Sequence, residues 1–255
     1  MMRLALTLVL ATASLSAGDD GIAPRVGPPA GAHAALVGLL DMPIVYDYAD
    51  EMPSDDPKPK QRPARLDVRA QPVSGSAVVA TLDARGIAVG GVHRCLWRGG
   101  RPGTNDCPHW ESGYEVPALA VFETRPGGWY RMAVDRNATR FGWLQSDETF
   151  RALESLVASE DHLTYLTARW PRTVHDRAGG GTTTLVPRHP PLPGQSGDTT
   201  PYRAIRHTHL ASELWIEVEV LDAVCGPNDP RVIATGWTPA RTAGALVVWY
   251  HSRGC

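Results

Sequence analysis

The chain has 255 residues and a formal net charge of −2, from 25 Lys and Arg against 27 Asp and Glu. That length suits one large domain or two small ones, each able to bury a core of its own. With no basic excess to hold a phosphate backbone, the composition argues against nucleic acid and anionic lipid as general partners, and leaves small molecules, peptides and polymers open.

Met1-Met2-Arg3 supplies a short positive region, and Leu4 to Leu10 an apolar run too short to span a bilayer. Small residues from Ala11 to Ala17 then offer cleavage positions, so residues 1–17 read as a secretory signal. The first cysteine is Cys95, which argues against a lipid anchor on the mature chain, and no later stretch is apolar enough to cross a membrane. The mature chain is therefore expected to be soluble, monomeric, and periplasmic or secreted. Residues 18–63 are rich in Pro, Gly, Ala and Asp, with 50–60 as the extreme, and predict a largely disordered spacer. Ala34 to Tyr48 is its more apolar part and the piece of it suited to docking on a neighbouring domain.

From 64 to 146 the texture changes to short β-type runs separated by turn residues. Arg125-Pro126-Gly127-Gly128 predicts a turn before Trp129, and Asp135-Arg136-Asn137 another before Phe141, which makes Asn137-Ala138-Thr139 a hairpin tip rather than a glycan site. Ser146-Asp147-Glu148-Thr149 reads as a helix start, with Phe150, Leu153, Leu156 and Val157 at helical spacing, so 147–161 is expected to be a connecting helix. Ser155 and Ser159 on it have no base at an activating spacing. The remaining residues, 162–255, repeat the texture of the first half.

The two halves share an order. Leu66-Asp67-Val68-Arg69 leads through Val78 to Leu82 to Gly128-Trp129-Tyr130-Arg131-Met132 and Gly142-Trp143-Leu144; His162 to Leu166 leads to Leu214-Trp215-Ile216-Glu217-Val218 and Gly236-Trp237-Thr238. The first copy resembles the bacterial SH3-like domains of exported and cell-envelope proteins, through Val68-Arg69 with Pro72, Gly86, Gly128-Trp129 and Gly142-Trp143-Leu144. The second copy departs from that pattern: the stretch from Tyr165 to Ala178 stands where the Val-Arg strand belongs, and the pair itself is missing. The resemblance implies an all-β chain of two small SH3-like barrels, over 64–146 and 162–255, joined by a short helix. It also implies grooves that bind peptides, often of the cell wall. In so small a barrel Val68, Trp129, Trp215 and Trp237 are expected to fill the interior or pave one mouth.

The four cysteines are even in number and fit an oxidising compartment. Local pairing suggests Cys95 with Cys107 and Cys225 with Cys255, each bridge contributing roughly 3 kcal/mol, and other connectivities stay open. The insertion 91–117 also sets His93 and Cys95 against Cys107 and His109. A zinc site is the alternative there, although the Cys-x-x-Cys knuckle is missing. Trp97, Trp110 and Tyr114 flank the same loop and, with Tyr130 and Trp143, form the candidate ligand-binding surface. The competing reading is that the insertion's aromatics pack it onto the barrel. His207-Thr208-His209, near Glu213 and Glu217, is a weak metal pattern and reads as two exposed loop histidines, after a Pro-rich excursion from Pro187 to Pro201.

No Gly-x-Ser-x-Gly elbow or His-Glu-x-x-His helix occurs, and each cysteine has a structural role available. The expectation is a non-catalytic binding protein of the cell envelope without cofactor or metal, recognising peptide or peptidoglycan. The alternatives are an interaction protein that binds another envelope protein through the aromatic insertion, and a zinc-dependent or cysteine cell-wall hydrolase.

Overall fold

The computed structural model describes residues 35–44, 63–97, 109–113, 116–135, 137–159, 163–187, 199–223 and 230–251. The signal segment 1–17, most of the spacer, Cys107, Tyr114, Cys225 and Cys255 lie outside the described residues.

In chain order the first half contains β1 (Gly38–Asp41), β2 (Arg65–Arg69), β3 (Val78–Asp83), β4 (Gly86–Val89), β5 (Val92–Leu96), β6 (His109–Gly113), β7 (Val116–Arg125), β8 (Trp129–Ala133), β9 (Phe141–Gln145), β10 (Phe150–Ala152) and a short helix, α1 (Leu153–Val157). The second half contains β11 (Leu163–Leu166), β12 (Thr173–Arg177), β13 (Gly180–Leu185), β14 (Thr200–Leu210), β15 (Glu213–Leu221), β16 (Val232–Pro239), β17 (Arg241–Thr242), β18 (Ala245–Leu246) and β19 (Val248–His251). The chain is all-β, as expected.

The strands form two open antiparallel sheets and a small β17–β18 pair. The first sheet runs β10-β1-β7-β8-β9-β2-β3-β4-β5, with β6 also on β7; the second runs β13-β12-β16-β15-β14-β11-β19. Setting aside β4, β5 and β6 in the first half, and β17 and β18 in the second, leaves seven strands in each. Numbered by their order in the chain, both sets lie in the order 7-1-4-5-6-2-3. The duplication is therefore one of topology, and it begins at β1, inside the segment that composition alone assigns to a spacer.

The register repeats as well. Trp129 faces Gln145, Arg131 faces Trp143 and Met132 faces Gly142; in the second sheet Trp215 faces Pro239, Glu217 faces Trp237 and Val218 faces Gly236. Strand β2 meets β9 through Arg69 and Trp143, and β12 meets β16 through His175 and Trp237. The place of Val68-Arg69 is thus taken in the second unit by Val174-His175. A bulge falls at the same point of both central hairpins, between Val121 and Glu123 and between Ala204 and Arg206.

At the crossing of these strands only glycine fits. A Cβ on Gly142 would stand 2.5 Å from Val68 Cγ1 and 2.9 Å from Val79 Cγ2; one on Gly236 would stand 2.7 Å from the His175 carbonyl oxygen and 2.9 Å from Val174 Cβ. Gly127 and Gly128, at φ 84° and 73°, make the turn that launches β8 and Trp129, where the Pro-Gly-Gly run predicts it.

Burial separates two apolar clusters. Leu40, Val68, Leu82, Ile87, Trp97, Leu119, Val121, Met132 and Leu144 form the first unit's own core. The second unit's core, with Tyr202, Ile216, Val218 and Trp249 among its members, also takes in Leu36, Leu39, Ala120, Phe122, Leu153, Leu156 and Val157 from the first half. Successive residues of a strand point to opposite faces. So β1 and β7 place Leu40 and Leu119 in one core and Leu39 and Ala120 in the other, and the two units share a wall. Hydrogen bonds cross the same boundary, from the Tyr202 hydroxyl to the Val157 carbonyl at 2.6 Å, from the Arg241 guanidinium to the Leu36 carbonyl, and from the Tyr250 hydroxyl to the Glu111 carbonyl.

Three expectations change. Residues 36–44 are not spacer: Leu36, Leu39, Leu40, Met42 and Ile44 are buried, because β1 pairs with β7 on one side and β10 on the other. The helix expected over 147–161 is confined to Leu153–Val157; Phe150 pairs with Leu40 in a strand instead, and the Ser146 hydroxyl accepts only a local bond from the Glu148 amide. An available strand edge overrides helical spacing here. Val68 lies in the first core; Trp129 and Trp237 are buried, at 6% and 8% exposure, but outside both apolar clusters, and Trp215 is only half-buried. Trp129 stands on the face of β8 opposite Tyr130 and Met132, which turn towards the first core.

Replacement of either crossing glycine is therefore expected to overpack its site and destabilise the fold by about 1–3 kcal/mol. Urea unfolding of Gly142→Ala and Gly236→Ala checks this against Gly75→Ala, where a Cβ meets nothing within 4 Å and no loss is expected.

Candidate functional site

Strand β2 carries Arg65, Asp67 and Arg69 at alternate positions, opposite Leu66 and Val68, which turn towards the first core. The outward side chains border an open cleft of about 460 Å³ lined by Arg65, Leu66, Asp67, Arg69, Ser74, Trp129 and Gln145. One Arg69 nitrogen donates to the Ser76 carbonyl at 2.8 Å and the other lies 3.5 Å from Asp67 Oδ2, so this guanidinium is held in place. The Asp67 side chain is 43% exposed. Gln145 Nε2 donates to the Gly127 carbonyl at 3.0 Å, which fixes its amide beside the turn and leaves its carbonyl oxygen to accept. Trp129, itself 6% exposed, closes one side.

The corresponding place in the second unit has other chemistry. Pro239 stands at the position of Gln145, Thr173 at that of Asp67, and His175 at that of Arg69. The His175 ring stands edge-on to Trp215 with centroids 5.3 Å apart. The same backbone thus presents a charged cleft in one copy and a His–Trp contact in the other.

No family model matches the chain, and neither does any curated protein or solved structure. The site is accordingly read from its own chemistry.

The aromatic surface expected around the insertion is not assembled by the described residues. Trp97 is buried in the first core, and its indole donates to the Asp83 carbonyl at 2.7 Å. Trp110 is half-buried against the shared core. Tyr130 packs on the first core beside Phe150, with ring centroids 5.5 Å apart, and Trp143 is 8% exposed. Tyr114 lies outside the described residues. A long insertion has to bury its own apolar side chains, and these do.

Cys95 is buried and disulfide-bonded, which removes its thiolate from metal binding and from nucleophilic chemistry. Its partner and the Cys225–Cys255 pairing lie outside the described residues. His93 is held by Asp83 rather than turned to a metal, with Nε2 at 3.0 and 3.1 Å from the two carboxylate oxygens. His207 and His209 are exposed, on strand β14 rather than on a loop. Their acidic neighbours are engaged elsewhere, Glu217 with Arg206 at 2.5 Å and Glu213 with Arg241 at 3.9 Å. Among the described residues no group of three or more His, Cys, Asp or Glu could hold a metal ion. Ser112, whose hydroxyl donates to Asp41, is completely buried and closed to any substrate.

Sequence reasoning singled out Val68-Arg69 for its motif and passed over Arg65, Asp67, Ser74 and Gln145. The available signal was the Arg-x-Asp-x-Arg alternation, which places three charges on one face of a strand.

Two outcomes follow. Burial pushes the Asp83 carboxyl up, but the His93 bond and the Arg85 and Gly86 amides outweigh it and leave its pKa below the ordinary 3.8. A lowered folded pKa contributes stability above the unfolded value and loses it as the pH falls through the folded one. The stability gap between wild type and Asp83→Asn is therefore expected to be full at about pH 6 and to shrink towards about pH 3, as followed by urea unfolding. For Cys95, iodoacetamide treatment of the unfolded, unreduced protein followed by peptide mass analysis is expected to leave this residue unlabelled until reductant is added.

Proposed function

We propose that the chain is an exported, non-catalytic binding protein of the bacterial cell envelope. In this reading each shared set of seven strands is a divergent SH3-like unit, and the protein recognises peptide, foremost that of peptidoglycan. The amino-terminal signal pattern supports export, and the duplicated order with Gly-Trp at each strand crossing supports the SH3-like assignment. The observation that carries the binding reading is the cleft beside Trp129. Its framework occurs twice, yet only the first copy lines it with Arg65, Asp67, Arg69 and Gln145. One strand order used twice, with one charged cleft, suits a scaffold duplicated for stability and specialised in one copy for recognition.

The alternative of an envelope-protein partner held by the insertion's aromatics is less well supported, because Trp97 is buried and Trp110 is half-buried against the shared core. Co-sedimentation of the mature chain with purified peptidoglycan tests the cell-wall reading. Retention is expected, lowered by salt because charged groups line the cleft. A folded protein that stays in the supernatant at low salt would overturn it.

A further inference from the structure

The geometry points to the cleft beside Trp129 as a binding site for the free C-terminal carboxylate of a peptide, with Arg65 and Arg69 as its anchors. This inference rests on the reading of the chain as a peptide-binding protein and adds to it the chemical group that is recognised.

Arg65, Asp67 and Arg69 follow one another on one face of β2, and the rise of a strand sets the two arginine Cα atoms about 13 Å apart. That span, with a cleft of about 460 Å³, matches the end of a short extended peptide rather than a single ion. Two guanidinium groups against one carboxylate leave the cleft with a positive excess, which a singly charged anion neutralises. Arg69 is held by the Ser76 carbonyl and by Asp67, and the planar guanidinium keeps further donors free for a second acceptor. Arg65 is exposed, and among the described residues it has no ion-pair partner. It is the cation free to swing onto a ligand, and a paired contact from arginine to carboxylate is among the strongest available polar interactions.

The remaining lining fits a peptide backbone. Asp67 and the Gln145 carbonyl oxygen accept N–H groups, and the edge of Trp129 offers an apolar wall to a small side chain next to the terminus. The second unit lacks this combination, since Pro239 and Thr173 replace Gln145 and Asp67 and the His175 ring lies against Trp215. The site therefore belongs to one copy.

Calorimetric titration of the mature chain with acetyl-Ala-Ala-Ala bearing a free carboxylate, and with its C-terminal amide, tests the inference. The acid is expected to bind at least about tenfold more tightly than the amide, and Arg65→Gln to lose a similar factor for the acid. The Arg65 side chain is exposed, so this variant is expected to keep the fold, which urea unfolding checks. Arg203→Gln, at an exposed arginine of the second unit paired with Glu219, is expected to bind as wild type does. Equal binding of acid and amide would overturn the inference, as would an Arg65→Gln variant that binds the acid like wild type. Equal binding of the amide of acetyl-Ala-Glu-Ala would overturn the assignment to a terminal carboxylate. If the chain sediments with peptidoglycan while acid and amide bind alike, this inference falls and the cell-wall reading stands. If the acid binds through Arg65 and sedimentation fails, the inference stands and the cell-wall reading falls.

Discussion

Each half of the molecule depends on one close approach, of a glycine in the sixth strand of the unit to the valine-bearing second strand. Gly142 lies under Val68 and Val79, and Gly236 lies against Val174 and the His175 carbonyl. A side chain at either position would push the second strand away from the sixth. That contact is where the β2–β3 hairpin joins the β7–β8–β9 meander, and where β12–β13 joins β14–β15–β16. It rests on a single paired residue in each unit, Arg69 with Trp143 and His175 with Trp237. Few hydrogen bonds hold the junction, so close packing there has to supply the rest. The tryptophan after each glycine covers the opposite face of the same junction, since neighbouring residues of a strand point to opposite sides.

The second constraint is the shared wall. Strand β1 sits between β7 and β10 and turns Leu40 into one core and Leu39 into the other. Two sheets of ten and seven strands with little helix would each bury only a modest core alone. By lending Leu36, Leu39, Phe122 and the α1 residues Leu153, Leu156 and Val157 to the second unit, the first makes the pair one packed body. Polar contacts cross that boundary too, with the Tyr202, Arg241 and Tyr250 side chains each donating to a carbonyl of the first half, while Arg241 Nε stays buried without a partner among the described residues. A buried donor left without such a partner costs about 1–3 kcal/mol, which gives the boundary one favoured arrangement.

The two copies differ most plainly in their charged side chains. Arg131 faces Glu123 in the first unit, and at the equivalent places Glu217 faces Arg206 in the second, so the cross-strand charge pair is kept with its signs reversed. That pair belongs to the framework. The cleft of the first unit instead gathers residues with no like counterpart, Arg65, Asp67 and Gln145 among them. The charge pair common to both copies lies in the shared framework, whereas the exposed charges of this cleft occur in one copy alone.

Strand texture, turns and the duplicated Gly-Trp order were legible in the sequence by itself, because alternation, glycine-rich turns and tryptophan-bearing strands are local patterns. They determined the all-β class, the turn before Trp129 and the existence of two units. The buried strand at Gly38–Asp41 was hidden because its neighbours Thr149 to Ala152 and Ala118 to Val121 lie far along the chain, and a proline-rich flank reads as spacer whatever it later pairs with. Phe150 carried helical spacing and became strand for the same reason, since β1 offered it an edge. The match of Val174-His175 to Val68-Arg69 depended on register, which no short motif contains. The cleft was hidden for a related reason: Arg65, Ser74, Trp129 and Gln145 are scattered over three strands and a loop, and only the crossing of the second and sixth strands brings them to one face.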